Sequence, residues 1–425
     1  MARILVLGAG LGGIGQAFEL RKHLGSGHSV TVVNDSDRFE FTPSNPWVAV
    51  GWRKPEQVVV RLPDLFRRHG IEFHSGGAKR VHPVDNQVEL TEGTRLDYDY
   101  LVVATGPKLA FEEVPGLGPD GFTQSICKTD HASACHQDFE ALVRDPGMVI
   151  VGAANGASCF GPAYEYAFIV DRELKRRRIR DRVPMCFVTP EPYIGHLGLN
   201  GVGDTKGLLE SELREANIGW ITNAKIDSVE KGAVHVTEVD EQGAEKKKYD
   251  LEFRHAMILP AFRGVDAVDG IEGLVNPRGF VTIDQFQRNP KYNNVYSIGV
   301  CVAIPPMGGT PLAVGVPKTG YMIESMSAAV TGNIGDVIAG RKPSHRASWN
   351  ALCLADFGKQ GVAFVALPQI PPRNLNWASK GRWVHWAKVS FEKYFLYKIR
   401  RGQAESLYER LVLLLFGIRK LKAGA

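Results

Sequence analysis

Six cysteines are spread along the 425 residues, at 127, 135, 159, 186, 301 and 353, and no two of them form a CxxC pair. That dispersal argues against a disulfide-stapled scaffold, a thioredoxin motif or a zinc site, so no metal is expected. Single thiols can still exchange with a disulfide or a sulfur anion if folding brings them together beside an electron acceptor. Cys159 suits this, because it stands where a glycine-rich loop becomes a helical stretch, and a helix N-terminus favours thiolate. Cys127 follows Gln124-Ser125-Ile126 with His131 one helical turn later, and Cys353 ends the run Trp349-Asn350-Ala351-Leu352-Cys353. A free cysteine is more often a small buried hydrophobe. Cys135, Cys186 and Cys301 are assigned to that role; spacing alone leaves Cys127, Cys159 and Cys353 open between the two.

The elements that would position these thiols read as nucleotide-binding units. Arg3 to Leu7 has the pattern of a buried parallel strand, followed by Gly8-Ala9-Gly10-Leu11-Gly12-Gly13 and a helical stretch from Ile14 to His23. In that order Gly8 permits the turn, Gly10 lets a pyrophosphate approach the backbone, and Gly13 lets helix and strand pack closely. The next strand, Ser29 to Val33, ends in Asn34-Asp35, so the acid for a ribose hydroxyl is displaced by one residue and Asn34 can share the contact. A second unit starts at Met148 to Val151, but its loop reads Gly152-Ala153-Ala154-Asn155-Gly156-Ala157-Ser158-Cys159. Ala154 replaces the glycine that admits a pyrophosphate, and Ala157 and Ser158 crowd the helix start. NAD should bind there poorly, so electrons must come from another donor.

Hydrophobic residues make up 44% and charged residues 23%, an ordinary globular balance that excludes extensive disorder. The formal charge of +5 is concentrated at the end of the chain: residues 380–425 hold 11 Lys/Arg against 3 Asp/Glu, or +8, which leaves −3 for the rest. Arg382 to Arg401 places Val384, Ala387, Phe391, Tyr394 and Phe395 on one helical face among cations that include Lys388 and Lys398. A second segment, Ser406 to Lys422, mixes leucines with Arg419, Lys420 and Lys422. Such helices suit a lipid interface, with Trp383 and Trp386 at headgroup level, better than nucleic acid. No apolar run approaches the length of about 20 residues that spans a bilayer, and no secretory signal is readable. The expectation is an α/β protein with two Rossmann-like domains in tandem and a C-terminal amphipathic-helix membrane-binding region. Its divisions fall at 1–113 with 296–350, 114–295, and 351–425.

Several motifs carry a family resemblance. Tyr100 to Ala104 running into Thr105-Gly106-Pro107-Lys108 resembles the motif that closes the FAD domain in flavoproteins with two dinucleotide-binding domains. Asn294 to Gly299 resembles their late strand, although Val300 stands where an Asp normally meets the ribityl chain. Thr42-Pro43-Ser44-Asn45-Pro46-Trp47, Gly156 to Tyr166, Tyr193-Ile194-Gly195-His196-Leu197-Gly198 and Pro317 to Glu324 look like the sulfide:quinone oxidoreductases, most closely the bacterial type I enzymes.

The resemblance implies an enzyme that oxidises hydrogen sulfide to sulfur or polysulfide through FAD and reduces a membrane quinone. It implies that Cys159 and Cys353 are the redox pair on the re face of the flavin, with Cys353 nearest its reactive carbon and Cys127 assisting capture or release of sulfur. Glu165, His131 and His196 would manage protons. Gly8, Gly10, Gly12, Gly13, Asn34, Asp35, Ser44, Ala104, Thr105, Gly106, Gly299, Lys318 and Gly320 would hold the cofactor, while Phe391, Tyr408 and Lys318 would meet the quinone. The expected location is a peripheral, monotopic one on the inner membrane, with the periplasmic face suggested by the family and a homo-oligomer left open. Two rivals share the FAD domain: a type II NADH:quinone dehydrogenase, which needs an intact second glycine motif, and a flavoprotein sulfide dehydrogenase subunit that donates to a cytochrome.

Overall fold

The computed structural model describes residues 1–403 and 420–422. The branched, apolar segments Arg3–Leu7 and Ser29–Val33 form the strands their composition predicts, because a parallel strand covered on both faces needs continuous apolar side chains. They lie inside a five-stranded parallel sheet in the order Val295–Ser297, Tyr100–Val103, Arg3–Leu7, Ser29–Val33, Glu72–His74. The late strand therefore returns the chain to the first sheet, bringing Gly299 and the helix Gly320–Ile338 back beside the first glycine loop. The first helix runs Leu11–Leu24, three residues earlier than its apolar spacing indicates, and packs along Gly320–Ile338.

A second parallel sheet, Ile218–Ile221, Met185–Val188, Val149–Ala153, His255–Leu259, is covered by the helices Thr129–Arg144 and Gly161–Arg176. An antiparallel pair, Lys108–Ala110 with Ala261–Arg263, ties the two crossings between the units.

A third, antiparallel sheet consists of Ala351–Asp356, Gly361–Leu367 and Leu375–Gly381, with Cys353 paired to Phe364. The helix Arg382–Arg400 leaves this sheet and folds back onto its first two strands. Here the structure corrects the sequence reading. The apolar stripe of that helix, Val384, Phe395, Leu396 and Ile399, faces the protein core, where Phe395 meets Phe39 and Phe41. Lys388 and Lys398, read as headgroup cations, are buried as well. The outward face instead carries Trp383, Trp386, Phe391 and Tyr397, next to Leu375 and Trp377 of the adjoining strand. Amphipathic spacing reveals a covered face but not whether protein or lipid covers it. Most of the 406–422 segment, Tyr408 included, lies outside the described residues. Among the described residues no helix is long and apolar enough to cross a membrane.

Candidate active site

At the first glycine loop, Gly8 has φ +97° and a Cβ there would sit 2.4 Å from the Ala104 carbonyl oxygen, so only glycine makes this turn. A Cβ at Gly13 would fall 1.9 Å from the Gly8 carbonyl oxygen, which sets the close helix-to-strand contact. A Cβ at Gly10 or Gly320 would meet nothing within 4 Å, so the loop and the start of the Gly320 helix both border open space. Between Lys318 and Gly320, the buried Thr319 hydroxyl has no hydrogen-bond partner. Open backbone at two helix N-termini and an unsatisfied hydroxyl beside them fit a dinucleotide cofactor.

Asn34 does not have the free amide expected of it: its Oδ1 accepts from the Ala9 N–H at 2.8 Å and its Nδ2 donates to the Ser36 carbonyl at 3.0 Å. It braces the glycine loop, and the next residue, Asp35, is exposed. Ser44 is also committed elsewhere, donating to Glu392 of the last helix. Cys301, read as core filling, is buried within hydrogen-bonding distance of Ser297 and of the Val103 and Ile298 carbonyls, against the Thr105–Gly106 loop.

The second glycine loop is closed by the chain itself. The Gly156 N–H donates to the Ala313 carbonyl at 2.9 Å, the Gly315 N–H to the Ala157 carbonyl at 2.9 Å, and the Ala154 N–H to the Leu259 carbonyl at 2.7 Å. Two loop donors that could meet a pyrophosphate are therefore already bonded, Gly156 to the strap around 313–315 and Ala154 to the strand His255–Leu259, and a Cβ on Gly315 would lie only 2.5 Å from Ser158 Cβ. Glu191, just past the strand Met185–Val188, is buried and accepts from Tyr164, Thr189 and the Leu197 N–H, organising the 193–201 loop.

The same strap carries Lys318 to the mouth of this loop, where the cysteines gather. Cys159 precedes the helix Gly161–Arg176 by two residues, and Cys353 lies on the strand Ala351–Asp356 that packs against that helix. Both are free thiols. Burial pushes Cys159 up to about 12, reinforced by the charges of Cys127 and Glu165 and opposed by Lys318 and the Gly161 N–H. Burial also raises Cys353, with Cys159 and Glu165 adding to it and Lys388 opposing. Cys127 is pushed up to about 11 by burial. At Cys159 desolvation thus opposes the helix N-terminus and Lys318, and raises the thiol.

Glu165, on the same helix, faces both Cys159 and Cys353 electrostatically and forms a buried ion pair with Lys388 of the last helix. Burial raises its carboxyl above the ordinary range, against the pull of Lys388. Lys318, lowered by burial to about 8, stands 5.1 Å from the Phe280 ring centroid. Sequence reading missed Lys388, Asp356 and Thr319. Only Thr319 carried a local signal, lying between two assigned residues.

The two histidines are placed differently. His196 Nε2 meets Asn200 Oδ1 at 2.8 Å, while its Nδ1 accepts from the Gly198 N–H at 3.2 Å, so both ring nitrogens are committed inside the 193–201 loop. His131 tilts against Phe111, its Nδ1 is buried without a partner, and burial lowers its pKa. Phe391 is partly exposed on the last helix and packs on Phe41 and Phe395.

An FAD-type first sheet, a closed second glycine loop and thiols gathered at its mouth define a flavin-dependent disulfide oxidoreductase. Residues 2–330 match the family described as pyridine nucleotide-disulphide oxidoreductase. The chain is 39% identical over 415 residues to the sulfide-quinone reductase of Aquifex aeolicus (strain VF5), covering 97% of this chain and 94% of that protein. The chain belongs to the sulfide-quinone reductase family, and its cofactor is FAD. The crystal structure of the Aquifex aeolicus sulfide:quinone oxidoreductase superposes with a TM-score of 0.95 at 38% identity, covering 100% of this chain and 97% of that one. The NDH2 of Plasmodium falciparum, solved with NADH, shares the fold alone: TM-score 0.71, 15% identity, coverage 99% and 100%.

Proposed function

We propose that the protein oxidises hydrogen sulfide through Cys159 and Cys353, with FAD taking the two electrons and passing them to a quinone. The observation that carries this reading is that Cys159 lies within electrostatic reach of Cys127 and Cys353, and Cys159 and Cys353 of Glu165, beside a nucleotide loop closed by the chain itself.

In the oxidised pair, hydrosulfide attacks one sulfur of a Cys159–Cys353 disulfide; the S–S bond breaks, and its electrons leave on the other cysteine as thiolate. The attacked cysteine then carries a persulfide. A thiolate from a thiol held so far above its ordinary pKa is a strong electron donor, because nucleophilicity rises with basicity. Glu165, which keeps its proton beyond the usual carboxylate range, is within electrostatic reach of both sulfurs to give or take that proton. Cys127 provides the third sulfur for release of the growing chain. FAD would be held by the Gly8–Gly13 loop, Asp35, Thr105, Gly106 and Gly299, together with Lys318, Thr319 and Gly320, and would supply the two-electron acceptor. Phe391 and Lys318, with Tyr408, are assigned to the quinone.

The divisions at 1–113 with 296–350, 114–295 and 351–425 organise this chemistry. The outward aromatic face of the last helix and its neighbouring strand supports peripheral attachment to a membrane surface; the inner membrane and its periplasmic face are what the family resemblance suggests. The test is anaerobic addition of sulfide, and of NADH separately, to the yellow holoprotein, following loss of the visible flavin band. Sulfide should bleach it, a quinone analogue should restore it, and Cys159→Ala or Cys353→Ala should abolish the response. Bleaching by NADH and not by sulfide would overturn the reading in favour of a dehydrogenase.

A further inference from the structure

Asp356 ends the strand that carries Cys353, and its carboxylate is fully buried. It accepts from Trp47 Nε1 at 2.8 Å, from the Gly358 N–H at 3.1 Å, and from His385 Nδ1 at 2.8 Å. Its own N–H donates to Glu165 Oε1 at 2.6 Å, the oxygen that also receives Lys388. One residue therefore fixes the end of the Cys353 strand, the indole of Trp47, the first turn of the Arg382–Arg400 helix and the Glu165 carboxylate. His385 is the outlet of this cluster: it is half-buried and its ring lies against the exposed Trp386, 5.3 Å between centroids.

We propose that Asp356 and His385 form a positioning couple that holds Glu165 and Lys388 in place and sets the charge Glu165 feels according to the proton on His385. This rests on the assignment of Glu165 to proton handling beside the cysteines.

The charges around the couple are few. Glu165 faces Lys388, Asp356, Cys353 and Cys159. On the far side of Trp47, Arg53 stacks 4.6 Å from the ring centroid and pairs with Glu392, and Lys388 lies 5.3 Å from the same ring. Burial is the main cause of the raised Glu165 carboxyl, opposed by Lys388, and the charge of Asp356 adds a smaller rise that is largest while His385 is neutral. With His385 protonated, that charge is offset and Glu165 releases its proton more readily. The first turns of the last helix are thereby coupled to the thiol site through Asp356 as well as through the direct pair of Lys388 with Glu165.

The test is the pH profile of flavin reduction by sulfide in single turnovers of the holoenzyme, for the parent protein, Asp356→Asn, His385→Gln and Glu165→Gln. Asp356→Asn should move the Glu165 midpoint to lower pH by about one unit, because a neighbouring like charge is removed. His385→Gln should move it to higher pH, because the offsetting cation is lost. Opposite shifts support the couple. Unchanged midpoints with only the amplitude reduced, or shifts of the same sign, would overturn it. If Asp356→Asn fails to fold, the upward shift in His385→Gln decides alone. A midpoint that survives in Glu165→Gln would show instead that the assignment of Glu165 is wrong, and the couple falls with it.

Discussion

Glu165 and Lys388 are separated by 223 positions in the chain and joined by one buried hydrogen bond. Lys388→Met would leave a buried carboxylate without its cation, and loss of one partner of such a pair costs about 3 kcal/mol of stability. Glu165 already titrates above the ordinary carboxylate value, so the neutral acid takes over as pH falls and the cost should shrink. Denaturant unfolding at two pH values checks this, and the double variant Glu165→Gln with Lys388→Met should recover part of the loss. At this scale the sequence identified residue types that can do chemistry, such as the three dispersed cysteines, but left their role open between exchange and core filling. It was not readable where a side chain's role depends on a distant partner. Lys388 looks like any cation on an amphipathic helix, and Asn34 was open to a ribose until the Ala9 N–H occupied its oxygen.

The strap around 313–315 acts as an element without regular secondary structure. Because its carbonyls and N–H groups complete the second glycine loop, Ala154→Gly alone should not confer flavin reduction by NADH, which stopped-flow mixing can check. Gly315→Ala puts a Cβ against Ser158 and should lift the strap, costing about 1–3 kcal/mol and raising the alkylation rate of Cys159 in the reduced protein. Differential thiol labelling with thermal melts would measure both. The loop's substitutions were visible in the sequence, and with them the expectation of poor nucleotide binding. The strap was not, since it lies 150 residues later and carries no motif. The strands 3–7 and 29–33 were legible to the residue because branched apolar runs between glycine turns have one stable use. The last helix was legible in extent but not in orientation, because the sheet that covers its apolar stripe is assembled from three other segments.

Across the whole molecule, buried acids link folding to pH. Burial pushes Glu191 up to about 7 from an ordinary 4.5, so the native state holds that proton more tightly than the unfolded chain. Its contribution therefore disfavours the fold progressively as pH rises from about 4.5 to about 7, by up to roughly 3 kcal/mol. Glu191→Gln should flatten the unfolding midpoint across that window. The outward aromatic face makes a separate prediction: Trp383→Asp with Trp386→Asp should weaken sedimentation with anionic vesicles by about tenfold, equivalent to about 1.4 kcal/mol, while turnover with a short-chain quinone persists. The closed second loop also bears on pharmacology. Compounds shaped like a pyridine dinucleotide should bind poorly here, because the Gly156 and Ala154 N–H groups that could meet a phosphate are already bonded within the chain. Selectivity against enzymes that take NADH can therefore be sought at this loop.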